Sequence, residues 1–348
     1  MKVLEVGTEK PYLIKIGKGI LRDVGRECAT LFKSAEKVLV VTDSNVARLY
    51  LNTVKSSIET NGFAVYDYVF SAGEESKTVH TYIGIVEWAA ECGLCRDDVI
   101  VALGGGVVGD LAGFAAATYM RGIRYIQVPT TLLAAIDSSI GGKTGFDLKY
   151  GKNLIGAFHQ PSGVYFDTEV LKTLPEKERK NGFGEGVKYA VLAGGAIRDM
   201  LLKGLSDSDT EEFCALCAAY KADVVARDEK EGGLRQLLNL GHTIAHAEEK
   251  LSHYTVAHGE SVAAGIKIMS KAAYNVGKLK KAEYDEIIEM LELSGLDREP
   301  QYTVDDLVKA ATSDKKVHND GINVVTVAGI GNCHIEKMSF EQFREYIK

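Results

Sequence analysis

Three histidines, one carboxylate and several glycine-flanked lysines are the residues whose types and spacing could do chemistry. His242 and His246 stand four apart in Leu240-Gly241-His242-Thr243-Ile244-Ala245-His246, so a helix would carry both on one face. His258 opens the next helical pattern, in Ala257-His258-Gly259-Glu260. Neutral imidazoles on neighbouring helices are good ligands for zinc or another borderline divalent ion. Glu185, in Gly184-Glu185-Gly186-Val187-Lys188, could add a carboxylate. Spacing does not decide which of His242 and His246 binds an ion, and solvated or core histidines are the plainer alternative. His253 reads as a loop histidine.

A second pattern is Leu103-Gly104-Gly105-Gly106-Val107-Val108-Gly109-Asp110-Leu111-Ala112-Gly113. It follows Asp98-Val99-Ile100-Val101-Ala102, which reads as a buried strand, and precedes an alanine-rich helical run ending near Tyr119. Gly104, Gly106 and Gly109 fit G-x-G-x-x-G in a strand–turn–helix context. There the free N–H groups and positive dipole end of a helix start suit a phosphate. A tight strand–helix packing turn with no ligand is the competing reading.

The cationic residues form a third pattern. Lys143 lies in Asp137-Ser138-Ser139-Ile140-Gly141-Gly142-Lys143-Thr144, and Lys152-Asn153 follows Gly151. Lys188 is three residues after Glu185, Arg235 precedes Asn239 and His242, and Lys315-Lys316 follow Asp314. Lysines beside glycine turns suit phosphate, because small neighbours permit close approach. Any one lysine is more often a solvated surface residue. Asp137 stands where a P-loop needs its first glycine, which excludes that NTPase motif. Arg121, in Tyr119-Met120-Arg121-Gly122, reads equally as an anion contact or an interface residue.

The elements that must position these groups change character along the chain. Strand signals at 37–43, 63–70, 98–102 and 123–128 alternate with helical spacing at 77–92 and after the glycines. Ligands are then expected at the carboxyl ends of the strands, where Asp43 and the glycine turn lie. After about Pro175 the segments 176–192, 210–231, 237–251, 259–276, 282–293 and 304–311 read as helices, with one late hairpin over 323–327 and 334–337. The expected fold is α/β plus α. It pairs a Rossmann-like doubly wound domain over 1–175 with a mostly helical metal- and substrate-binding domain over 176–348, and the active site is expected in the cleft between them.

Composition narrows the class. The chain has 348 residues, 46% hydrophobic and 26% charged, with a formal net charge of −7, which disfavours nonspecific nucleic-acid binding. No apolar run is long enough to span a bilayer, and the start lacks a signal-peptide core, so a cytoplasmic, non-membrane protein is expected. Two C-x-x-C pairs, Cys92/Cys95 and Cys214/Cys217, lie too far apart to suggest one zinc site, and reduced packed thiols are expected.

Taken in order, these residues resemble the 3-dehydroquinate synthase family over nearly the whole chain. The matching blocks are Gly73–Lys77, Gly104–Gly113, Gln127–Ala134, Asp137–Thr144, Gly151–Pro161, Glu185–Tyr189, Asn239–His246, His258–Glu260 and Asp314–Lys316. The resemblance implies conversion of 3-deoxy-D-arabino-heptulosonate 7-phosphate to 3-dehydroquinate plus phosphate. It implies a bound NAD that is reduced and reoxidised within each turnover, and a zinc or cobalt ion that polarises the oxygen being oxidised. By resemblance the ion's ligands are Glu185, His242 and His258, and His246 handles protons or supports the ligands. Asp43, Glu74, Lys77, Gly105, Gly106, Val107, Val108, Gly109, Asp110, Thr130 and Thr131 resemble cofactor positions. So do Lys143, Lys152 and the run Val170-Leu171-Lys172-Thr173. Lys143, Lys152, Asn153, Lys188, Arg235, Asn239 and Lys315 resemble contacts to the sugar-phosphate acid, with Asp137 orienting substrate hydroxyls or a lysine. Arg121 resembles a residue that reaches a second subunit's site, which implies a homodimer.

The chain departs from the family pattern at Gly184, Gly186, Val187, Leu240, Ala245 and over 146–149, and none of these changes removes a candidate ligand. Three other readings compete: another sugar-phosphate cyclase, a metal-dependent polyol dehydrogenase, and a sugar-phosphate binding module without catalysis. The dehydrogenase would release NADH.

Overall fold

Val38-Leu39-Val40-Val41 and Val99-Ile100-Val101-Ala102 are completely or almost completely buried, the signature of strands covered on both faces. The computed structural model, which describes residues 1–312 and 321–348, places these runs side by side in the interior of a seven-stranded sheet. The nine strands of the first half are β1 (Lys2–Val6), β2 (Tyr12–Gly17), β3 (Lys37–Asp43), β4 (Ala64–Phe70), β5 (Val99–Gly104), β6 (Arg124–Pro129), β7 (Lys143–Leu148), β8 (Gly151–Phe158) and β9 (Gly163–Asp167). The sheet order is β1-β2-β9-β6-β5-β3-β4. Only β1 and β2 pair antiparallel; every other neighbouring pair is parallel. From β3 the chain moves outward to β4, then returns to the other side of β3 as β5. That reversal opens a crevice beyond the carboxyl ends of β3 and β5, the place where doubly wound sheets take ligands. Asp43 ends β3 and Gly104 ends β5. β7 and β8 form a separate antiparallel hairpin.

By its contacts the chain divides into two units, Met1–Leu174 with Lys221–Ala226, and Pro175–Tyr220 with Arg227–Lys348. The second is built mainly of helices. Those that matter here are Glu176–Ala193, His242–Leu251 and His258–Asn275. It also holds the late hairpin, β10 (Ile322–Gly329) and β11 (Asn332–Met338). No helix among the described residues is long and apolar enough to cross a membrane.

The pattern-based expectations match β3, β4, β5 and β6 within one or two residues, but β1, β2 and β9 were not among them. The expectations differ where local chemistry interrupts periodicity. The continuous helix expected over 237–251 is a 3-10 turn, Leu234–Asn239, followed by a break and then His242–Leu251. Gly241 sits at φ 78, a left-handed conformation that ends one helix and starts the next. The helix expected to reach Glu231 stops at Arg227. There the Asp228 carboxylate accepts the backbone N–H groups of Gly232, Gly233 and Arg235 and folds the chain into a loop.

The register of the two strands that flank the crevice is set from their far ends. Asp98, 4% exposed, precedes β5, and its Oδ1 accepts the N–H groups of Glu36 at 3.0 Å and Lys37 at 2.8 Å, at the start of β3. Its Oδ2 accepts the Cys95 N–H at 2.6 Å. Replacing Asp98 by Ala strands three donors. We expect Asp98→Ala to lower stability by about 3 kcal/mol, read as a lower urea midpoint at unchanged slope.

Candidate active site

In the first unit the crevice is lined by backbone before side chains. Helix Gly106–Thr118 starts at Gly105 with no side-chain cap, and its first satisfied N–H within this turn is Gly109 to Gly105 O at 3.0 Å. The N–H groups of Gly106, Val107 and Val108 therefore point out of the helix start, as an anion site requires. None of these glycines adopts positive φ. At Gly109 the need is close approach: a Cβ there would lie 2.7 Å from Gln127 Oε1 on β6. Val108 is buried in the core beneath, so only its backbone faces the crevice. Thr130 closes the rim by donating its N–H to Gly104 O at 2.9 Å. Thr131 Oγ1 accepts the Ala134 N–H. Asp43 caps the next turn, its Oδ1 accepting from Asn45 and Val46. The run 170–173 follows the carboxyl end of β9, and Tyr50 OH meets both Val170 O and Thr173 Oγ1.

Lys77 joins the glycine turn to the hairpin. Its Nζ lies 2.7 Å from Asp110 Oδ2 and donates to Asn153 Oδ1 at 2.7 Å. Burial acts to lower the Lys77 pKa, but Asp110 and Glu74 outweigh it and hold the ammonium well above its usual range. Burial raises the Asp110 carboxyl, and Lys77 pulls it back. Asn153 sits at φ 52, held there by its N–H to Asp147 Oδ1, while the Asp147 N–H returns to Lys77 O. Lys152 pairs with Glu74 at 3.1 Å. Lys143 starts β7 with its side chain exposed. Asp137 is bonded to Lys221, whose Nζ meets Oδ1 at 2.8 Å and the backbone O at 2.7 Å. Arg121 lies apart from these residues. It precedes β6 and so sits at the amino-terminal edge of the sheet, exposed, at φ 68.

In the second unit Glu185, completely buried, is the centre. Its Oε1 lies 3.0 Å from His258 Nε2 and 3.5 Å from His242 Nε2, and its Oε2 pairs with Lys188, one turn further along the same helix. Glu185, His242 and His258 offer ligand atoms that all lie within 4.8 Å of one another. A tetrahedral zinc ion with bonds of about 2.0–2.1 Å needs donors about 3.3 Å apart, and the distances to Glu185 bracket that value. His246 leaves the alternative set by spacing: its ring stands 5.5 Å from that of His242, but it is exposed and outside the convergent set. Each inner histidine has its Nδ1 on an acceptor, Leu240 O for His242 and Glu249 Oε1 for His258, both at 3.1 Å. Acceptors there put the proton on Nδ1 and aim Nε2 at the centre. Burial, with Lys188 and the neighbouring imidazoles, pushes His242 down to about 3 against the pull of Glu185. Burial would lower His258 as well, but its hydrogen bonds to Glu185 and Glu249 push it up to about 10.

The helices meet closely because glycines let them. A Cβ at Gly184 would lie 2.1 Å from Gly259 O, and one at Gly259 would lie 1.9 Å from Asn181 O. Gly184, a departure from the family pattern, therefore lets helix Glu176–Ala193 touch the start of His258–Asn275. Nearby, Arg235 is 1% exposed and Asn239 donates to Glu231 at 3.1 Å. Lys315 lies outside the described residues.

The family model described as "3-dehydroquinate synthase N-terminal" matches residues 67–181, and "3-dehydroquinate synthase C-terminal" matches 182–317. The chain belongs to the 3-dehydroquinate synthase family. Proteins named 3-dehydroquinate synthase include one from Clostridium acetobutylicum, 40% identical over 100% of this chain and 99% of its own, and one from Streptococcus gordonii, 42% identical over 97% of each. Among solved structures, a 2-deoxy-scyllo-inosose synthase complexed with carbaglucose-6-phosphate, NAD+ and Co2+ superposes with TM-score 0.90 at 25% identity, covering 99% of both chains. The 2-epi-5-epi-valiolone synthase of Streptomyces hygroscopicus, with NAD+ and Zn2+ bound, gives 0.83 at 26% identity over 96% of this chain and 95% of its own. A butanol dehydrogenase from Thermotoga maritima, 16% identical at TM-score 0.66 over 100% of this chain and 97% of its own, shares the fold alone.

Sequence reasoning about this family member missed Lys221, Asp147 and Glu249. Lys221 carried no signal, being one lysine in an ordinary helical run. Glu249 did carry one, since it stands seven residues after His242 and so shares its helix face. The Lys77–Asp110 pair gives a direct test. Lys77→Met leaves a buried carboxylate without its partner, and we expect a loss of about 3 kcal/mol in urea unfolding. The double variant with Asp110→Asn is expected to be more stable than Lys77→Met alone.

Proposed function

We propose that the chain converts 3-deoxy-D-arabino-heptulosonate 7-phosphate to 3-dehydroquinate and phosphate as an NAD- and divalent-metal-dependent lyase. The observation that carries this reading is the convergence of Glu185, His242 and His258 within 4.8 Å in a chain 40–42% identical to 3-dehydroquinate synthases. The cyclases with other names match at only 25–26% identity. When bound, the nicotinamide supplies a transient hydride acceptor and the ion supplies a Lewis acid for the oxygen being oxidised.

The chain's own residues take the remaining roles. The first unit holds the dinucleotide, with its pyrophosphate on the N–H groups that open helix Gly106–Thr118, its ribose near Asp43, and Glu74, Lys77, Thr130, Thr131 and 170–173 around it. Lys143, Lys152 and Asn153 bind the acid and phosphate ends of the substrate. In the second unit Lys188 ties Glu185 Oε2 and leaves Oε1 toward the histidines. Arg235, Asn239 and Lys315 supply further substrate contacts, and His246 handles a proton beside the ligand set. Asp137 orients Lys221. Arg121 serves the site of a second copy in a homodimer, a role supported by its exposed side chain between the left-handed Met120 and Gly122. The six cysteines are all free thiols, in keeping with the cytoplasm.

A phosphate-release assay with the heptulosonate phosphate, run with and without NAD and chelator while nicotinamide absorbance is followed, tests the reading. Release is expected to need both NAD and metal and to accumulate no NADH. Accumulating NADH would mean a dehydrogenase, and no release would mean a different substrate. Lys143→Ala is expected to retain the fold and lose most turnover. His242→Ala is expected to lose bound metal by elemental analysis.

A further inference from the structure

Glu249 is a second carboxylate buried beside the ligand set, at 2% exposure. Its Oε1 lies 3.1 Å from His258 Nδ1, while His258 Nε2 lies 3.0 Å from Glu185 Oε1. One imidazole thus spans two buried carboxylates. Taking a carboxylate out of water is costly unless it is paired and hydrogen-bonded. The fold tolerates Glu249 at a position where an apolar residue would pack without that cost.

Its partner atom indicates why it is there. A carboxylate only accepts, so Glu249 holds a proton on Nδ1 whether or not Nε2 also carries one, and Nε2, which faces Glu185 Oε1, is the nitrogen that gives up its proton to an arriving ion. His242 is held the same way by Leu240 O, but that acceptor is backbone and is present whatever the sequence. His258 opens its helix and has a side chain in the equivalent role. The geometry between the two is fixed from outside the site. Glu248, next to Glu249 and completely buried, forms a two-point ion pair with Arg298, Oε1 to Nη1 at 2.8 Å and Oε2 to Nη2 at 2.5 Å. Arg298 Nη2 also donates to Glu260 O at 3.2 Å, two residues into the helix that His258 begins. Arg298 therefore clamps the helix bearing His242 and Glu249 to the helix bearing His258.

We propose that Glu249 is a positioning residue for the ion site: it fixes the orientation and tautomer of His258 so that Nε2 is presented to the ion. This rests on the ligand set proposed above. The backbone of Glu249 also ends its helix, its O accepting from Tyr254 N at 2.7 Å and Ser252 Oγ at 3.0 Å, but those bonds survive side-chain substitution.

The test is zinc affinity of the metal-stripped full chain, measured by competition with a chromophoric chelator, together with nitrogen-15 NMR of labelled histidine in the zinc form. Glu249→Ala is expected to weaken zinc binding about 10–100-fold and to lose the Nδ1-protonated His258 signal. Glu249→Gln, whose amide oxygen accepts the same hydrogen bond, is expected to keep the signal and most of the affinity. If Glu249→Ala fails to fold by circular dichroism, Glu249→Met replaces it, keeping the volume without the acceptor. Wild-type affinity or an unchanged His258 signal in the Ala or Met variant overturns the proposal, as does a loss in Glu249→Gln equal to theirs. His242→Ala separates the two readings. If it binds zinc as wild type does, the ligand set itself is wrong; if it loses zinc while Glu249→Ala does not, only the role of Glu249 falls.

Discussion

A carboxylate with no solvent exposure must have its charge answered by its neighbours, and Glu185 is such a group. One oxygen faces Lys188, and the other faces His258 and His242. Much of the second unit follows from that requirement. Lys188 is placed by helix geometry alone, three residues along on the same face. The histidines come from two other helices, and those helices must approach closely enough for imidazole nitrogens to reach one oxygen atom. Gly184 and Gly259 make the approach possible by removing side chains from the crossing. A glycine inside a helix costs about 1 kcal/mol relative to alanine, so its place there is explained by contact and not by helix propensity.

The first unit meets a related constraint differently. Its central strands are apolar on both faces, and the polar groups gather beyond their carboxyl ends, where the reversal of strand order leaves a crevice. Lys77 and Asp110 neutralise each other at the rim, and Asn153 and Asp147 complete a closed set of bonds with the lysine. The helix start at Gly105 offers oriented N–H groups, and the β7–β8 hairpin carries Lys143 and Lys152. Both suit an anion, and neither needs a side chain that titrates near neutral pH.

Much of this was legible before folding is considered. The inner strands β3, β5 and β6 show as short apolar runs, because burial on both faces removes alternation, whereas β2 and β9 went unread. The glycine turn shows by its position between strand and helix. The β7–β8 hairpin did not show, because Lys143–Leu148 and Gly151–Phe158 mix glycine, charge and apolar residues without a clean period. The break at Gly241 was also hidden, since one left-handed residue leaves the apolar pattern on either side intact. Glu249 was within reach of a heptad count from His242, but a carboxylate on a helix reads as solvated until its burial is known.

Sequence by itself determined the chemistry on offer: imidazoles and carboxylates on helices, ammonium groups beside glycines, and an uncapped helix start after a buried strand. These are properties of residue type and local period, which act over a few residues. Only the tertiary structure brought His242, rather than His246, together with Glu185 and His258, because both share a helix face and the outcome depends on where Glu185 and His258 arrive from elsewhere in the chain. It alone paired Asp137 with Lys221 and set Glu249 behind His258. Those contacts join residues 84 and 9 positions apart, and no local rule fixes which distant groups packing will bring within hydrogen-bonding distance.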